Sequence, residues 1–248
     1  MLMAALYLVQ RARENANIVD FGWAAGVGAT ALWYAAAAPG SVPFRVALAV
    51  VGGSWSLRLA GYLLVNRVLH GAEDGRYTVL RARWGVNAQR NFLIFFLAQA
   101  ALITAFSIPQ LIVALQPGPH LLPWHYLGMA AGLGAILGES IADRQLAAWR
   151  ANPANRGQVC NSGLWRYSRH PNYFFEWLHW WAYVLLSLGT WRAAVSLLGP
   201  VLMFLFLFRV TGIPYTERQA LASRGDNYRA YQRTTSAFFP WFPKPGAR

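Results

Sequence analysis

Residues Phe92 to Leu115 read FLIFFLAQAALITAFSIPQLIVAL, an apolar run without a charged side chain. About 20 such residues cross the hydrocarbon core as an α-helix. Lipid admits only helices or closed barrels as spanning structures, because every backbone polar group must be satisfied internally. No repeated alternation of period two supports a barrel, so the fold class is all-α, a polytopic membrane helix bundle. Working outward, further apolar runs lie at about Asn17 to Ala38, Phe44 to Val65, Leu121 to Ala148, Asn172 to Leu188 and Arg192 to Thr211. A shorter run, Met1 to Gln10, is either a truncated helix or one extended through Arg13 by snorkelling side chains. The sum is about seven transmembrane helices in a single membrane domain. Residues 1–115 are expected to supply substrate-side helices and 116–248 a C-terminal half with cofactor loops and an amphipathic tail.

Composition agrees with this class. Of 248 positions, 56% are apolar and 12% charged, about half the charged fraction of a soluble domain. The net charge of +13 rests on 21 arginines and Lys244 against nine acids. Such charge on a membrane chain suits anionic headgroups or a phosphate-bearing ligand, and nucleic acid is not an expected partner. No obligate protein partner is evident. Cys160 is alone and the histidines form no tight pair, so neither a disulfide nor a metal site is expected. The apolar N-terminus runs directly into Arg11, Arg13 and Glu14, and no cleavable signal peptide is read.

Arginines alternate between connections. Arg11 and Arg13 occupy the first; Arg67, Arg76, Arg81, Arg83 and Arg90 the third; Arg144, Arg150, Arg156, Arg166 and Arg169 the fifth; a further cluster lies in the tail, and the intervening connections carry only Arg45 and Arg192, at helix starts. By the positive-inside rule these connections and the C-terminus are cytoplasmic and the N-terminus lies outside. A multi-pass protein of a bacterial inner membrane is expected. Gly26-Val27-Gly28 only spells like a dinucleotide fingerprint, since no strand precedes it. Gly128, Gly132, Gly134 and Gly138 read as small residues that let a helix pack closely.

Ionisable groups inside spans cost about 2.5–3.5 kcal/mol each, so Asp20, Arg58, Glu139, Asp143 and Glu176 should face the interior. Trp55, Arg58, Tyr62 and Asn66 share one helical face. The bland alternative is that Arg58 pairs with Asp20 or Glu139 merely to hold the bundle. Polar chemistry concentrates in Gly163 to Trp177, GLWRYSRHPNYFFEW, where Pro171 opens a helix. Asn172 and Glu176 then share a face, while Arg166, Arg169 and His170 sit beside the helix N-terminus, which favours anions. In the tail, Thr216 to Gln219 has capping-box spacing, Gly225 ends that short helix, and a second carries Tyr228 and Tyr231. Phe238, Phe239, Trp241 and Phe242 read as interfacial anchors. Glu217 and Tyr228 are candidates to close a pocket.

Several of these stretches resemble a known family. SGLWRYSRHPNYFFEW (Ser162 to Trp177), the tail from Gly212 to Pro243, NANIVDFGW (Asn15 to Trp23), SWSLRLAGYLLVNR (Ser54 to Arg67) and EDGRY (Glu73 to Tyr77) are similar to steroid 5-alpha-reductase-like membrane proteins, most closely their bacterial branch. Isoprenylcysteine carboxyl methyltransferases and related lipid methyltransferases share the RHPxY element, with a downstream Glu and Tyr. The resemblance implies an NADPH-dependent reductase that moves hydride to a conjugated, enone-type double bond of a steroid or other lipid. It places cofactor contacts at Asn66, Arg67, Arg76, Tyr77, Asn172, Tyr173, Glu176, Glu217 and Tyr228, to which charge and position add Arg166, Arg169 and His170. Asp20 and Tyr62 are the expected catalytic pair, with Trp23, Trp55 and Arg58 at the substrate; Trp55 stands where those reductases carry a tyrosine. The alternatives are an S-adenosylmethionine-dependent lipid or isoprenylcysteine methyltransferase, and a non-catalytic lipid-binding protein.

Overall fold

A computed structural model of the chain describes residues 1–69, 72–210 and 212–245. All regular structure among them is helical. Among the described residues three stretches, Val42–Leu69, Gly75–Ala114 and Ala193–Thr234, are long and apolar enough, by length and composition, to cross a membrane. Thr211, where the last expected apolar run ends, lies outside the described residues. The chain divides into two compact units, residues 1–126 with 183–198, and residues 127–182 with 199–248.

The first unit is built from α1 (Leu2–Arg13), α2 (Ile18–Ala37), α3 (Val42–Leu63), α4 (Gly75–Trp84) and α5 (Ala88–Ala114). α2 packs on α3 and α5, and α1 on α2 and α5. Small residues set the α2–α3 approach: a Cβ on Gly28 would overlap the Ser56 side chain, whose hydroxyl donates to Ala24 O at 3.0 Å. This packing role is the one that the rejected fingerprint glycine fills. Trp55 is completely buried and meets Trp23 edge-on at 5.7 Å.

Much of the charged connection after α3 is helical among the described residues. A π-helical turn, Leu64–Leu69, extends α3, and α4 follows with Asp74 as its N-cap, the carboxylate accepting from Arg76 N–H at 3.0 Å.

α6 (Pro123–Ala151) and α7 (Pro171–Ser187) supply most of the second unit, while the short α8 (Ala193–Ser196) belongs to the first; α9 (Leu198–Leu205) and α10 (Ile213–Thr234) complete the second. α7 begins at Pro171, as the sequence requires. α10 starts earlier than the capping-box spacing implies. Pro214 occupies its first turn, so Thr216 lies inside the helix and donates back to Gly212 O at 3.2 Å. Gly225, with φ of 51°, kinks α10 rather than ending it. With Glu217, Arg218, Arg224, Asp226, Arg229 and Arg233 along it, α10 is the polar continuation of the last apolar stretch.

Aromatic side chains hold the tail to this unit. Phe174, Trp177, Phe204 and Phe208 surround Phe238 at ring separations of 5.1 to 6.1 Å. Phe238 is therefore core rather than an interfacial anchor, whereas Phe239, Trp241 and Phe242 are exposed.

Candidate functional site

The expected site residues fall into two groups, one in each unit. In the first, α2 and the α3–α4 connection meet at Asn17 and Asp20. The Asn17 carboxamide donates to Arg67 O (3.0 Å) and Ala72 O (2.9 Å) and accepts from Asp74 N–H (2.8 Å). That leaves Asp20 facing the start of α4. It accepts from Arg76 at 2.8 Å, Tyr77 at 2.6 Å and Arg67 at 3.4 Å.

Asp74 takes the same two guanidiniums, Arg67 at 2.8 Å and Arg76 at 3.1 Å. Burial raises the Asp74 pKa, but the hydrogen bond and charge of Arg76, then the charge of Arg67, outweigh it and hold the carboxyl below its ordinary value. Arg81 and Glu73 close the far side at 2.7 Å.

The phenol that reaches Asp20 is Tyr77, not Tyr62; Tyr62 is partly exposed and stands under the Arg58 guanidinium at 5.7 Å. Asp20 is the acceptor for two guanidiniums and a phenol in that arrangement. Trp55 is part of the packed core, Trp23 lies against it, and Asn66 is exposed with its amide on Tyr62 O at 2.9 Å.

The second group surrounds the start of α7. Ser168 and Tyr231 fix the loop ahead of Pro171: the Ser168 hydroxyl donates to Phe238 O at 2.8 Å, Arg169 N–H donates to Ser236 O at 2.8 Å, and the Tyr231 hydroxyl donates to Trp165 O. Arg169 then points at Glu217 of α10, with Nε on Oε1 at 2.7 Å and NH1 on Gln232 O (3.1 Å) and Thr235 O (2.6 Å). Glu217 also accepts from Tyr228 (3.4 Å) and Gln232 (2.9 Å) and lies 3.3 Å from His170 Nε2. Burial alone would raise the Glu217 pKa, yet the hydrogen bonds from His170 and Arg169 and the Arg169 charge bring it down to about 2. Burial lowers the His170 pKa, outweighing the opposing pull of Glu217.

The His170 ring stacks on Tyr173 at 5.4 Å and 7°. One turn on, Asn172 donates to Asp143 of α6 at 3.3 Å, and Trp180 donates to Glu176 at 3.4 Å. Arg166 is exposed on the loop.

Three of the four arginines expected to receive phosphate, Arg67, Arg76 and Arg169, are thus ion-paired with carboxylates of the chain itself. The start of α7 and the facing stretch of α6 thus carry a carboxamide and two carboxyl groups, Asn172, Glu176 and Asp143. Sequence reasoning gave no site role to Asn17, Asp74, Ser168, Tyr231 or Gln232. Asp74 ahead of Gly75 was a legible cap signal; the others act through contacts distant in sequence.

The chain belongs to the family described as "Protein of unknown function (DUF1295)", whose profile matches residues 6–235. It is also similar to a methanethiol S-methyltransferase of Mycobacterium tuberculosis (strain ATCC 25618 / H37Rv), 31% identical over 94 residues. That match covers 38% of this chain and 35% of the relative's length. No solved structure matches. The relative overturns the hydride-transfer reading: its name describes methyl transfer, the activity on the other side of the RHPxY resemblance.

Proposed function

We propose that this protein is a multi-pass membrane methyltransferase that moves a methyl group from S-adenosylmethionine to a thiol or a comparable soft nucleophile of a lipophilic acceptor. The observation that carries the reading is the 31% identity with the methanethiol S-methyltransferase. The acidic, amide-bearing start of α7 supports it. On this reading Asn172, Asp143 and Glu176 face the cationic part of S-adenosylmethionine. When bound, that cofactor supplies an electrophilic methyl carbon.

The chain's own task is to desolvate the acceptor and remove its proton. His170 is suited to it. Burial keeps the ring neutral near pH 7, and a hydrogen bond from Nε2–H to Glu217 leaves Nδ1 as the basic nitrogen. The acceptor's proton would pass to Nδ1, leaving its electron pair free to take the methyl that a bound S-adenosylmethionine would supply as its S–CH3 bond breaks and the sulfur leaves as a neutral thioether. Glu217 stabilises the imidazolium that results. Arg169 fixes Glu217 and so acts as a positioning residue. The seven spans read from the sequence, with a cytoplasmic C-terminus in the inner membrane, complete the reading.

Methyl-labelled S-adenosylmethionine and a panel of alkyl thiols, incubated with the detergent-purified protein, test it. S-methyl product that His170→Ala removes supports the proposal. Absence of product from every acceptor, together with thermal stabilisation by NADPH and none by S-adenosylmethionine, overturns it.

A further inference from the structure

An open groove of about 550 Å³ runs along α6 in the second unit, and neither His170 nor Glu217 lines it. Its construction is legible residue by residue. The Phe175 ring occupies the space above Gly138, where any Cβ would collide with it, and forms one wall. Gly134, by contrast, has nothing within 4 Å of the position a methyl group would take there, so the floor beside it is open. Leu137 and Ile141 line the groove and are 61% and 44% exposed. Water is a poor occupant for such a lining.

The polar end is also specified. Gly163, with φ of 57°, turns the loop so that Leu164 N–H donates to Gln145 Oε1 at 2.9 Å. A backbone N–H can only donate, which fixes the amide orientation and leaves the Gln145 NH₂ as a donor. Gln145, which lines the groove, keeps that donor at its polar end. Arg166 lines the same end, exposed and without an ion pair among the described residues.

We propose that this groove holds one acyl chain of an anionic phospholipid from the surrounding bilayer, with the headgroup at Gln145 and Arg166. Length supports the choice. Gly134 to Gln145 spans about 16 Å at about 1.5 Å per residue, roughly half of the ~30 Å hydrocarbon core and so one leaflet. Charge does as well, since an arginine near an anionic surface contributes about 1 kcal/mol. The site is independent of the methyl-transfer reading.

Lipid retained by the purified full chain, measured by native mass spectrometry after incubation with vesicles of phosphatidylglycerol or phosphatidylcholine, tests the proposal. The wild type should retain phosphatidylglycerol about fivefold better, and Arg166→Gln should bring the two lipids near parity. Gly134→Phe, placed in open space, should remove retention of both while leaving the elution profile unchanged. Equal retention of the two lipids by the wild type overturns the proposal, as does undiminished phosphatidylglycerol on Gly134→Phe. Complete displacement of the lipid by inorganic phosphate would reduce the site to an anion contact and likewise overturn it.

Discussion

Glu217→Ala is the perturbation whose consequence the structure specifies most fully. The wild-type carboxylate accepts from Arg169, Tyr228 and Gln232 and lies beside His170, so one side chain ties α10 to the loop before α7. Removing one member of a buried ion pair costs about 3–5 kcal/mol. Arg169 and Glu217 retain 10% and 16% side-chain exposure, so the lower figure, about 3 kcal/mol, applies. At about 1.4 kcal/mol per tenfold, amide hydrogen exchange in α10 should accelerate roughly 100-fold, while the core amides of α5 stay protected.

The pH dependence has a defined sign. The folded-state pKa of Glu217 lies near 2 against an ordinary 4.5. Its stabilisation is therefore complete above pH 4.5 and is lost as pH falls through about 2. Wild-type α10 should loosen across that window and Glu217→Ala should not. Acceleration below tenfold, or equal acceleration in α5, would refute the claim that Glu217 ties α10 to the loop before α7.

Three further outcomes follow from the first unit. Gln10 is fully buried and neither side-chain amide atom has a partner among the described residues; Gln10→Leu should raise stability in denaturant titrations by about 1–2 kcal/mol, and a loss would contradict this. Gly28→Ala forces a Cβ into Ser56 and should cost about 1–3 kcal/mol, a cost that vanishes if α2 and α3 are not in contact. Asp20→Asn weakens the contacts with Arg67, Arg76 and Tyr77 and should destabilise by about 1.5–3 kcal/mol; turnover lost with no change in stability would instead restore an acid–base role.

The helices were legible where hydrophobic length decides, as in α5, and where proline marks a start, as at Pro171. α4 was harder to see because its sequence, rich in arginine, has the composition of a loop and depends on Asp74 as cap and on Asp20 and Glu73 as partners. Composition likewise cannot distinguish an arginine awaiting phosphate from one already paired. Arg169 and Glu217 are 48 positions apart, and only the folded chain brings them together. The polar residues at the head of α7 were recognisable, but the methyltransferase reading required the likeness to a characterised relative.

Methyl transfer itself tests the central claim most directly. The purified protein, given S-adenosylmethionine labelled in its methyl group and an alkyl thiol, should yield labelled S-methyl product, with little from His170→Ala. An absence of label in any acceptor, with NADPH consumed when an enone lipid is supplied, would contradict the account and return the site to hydride chemistry.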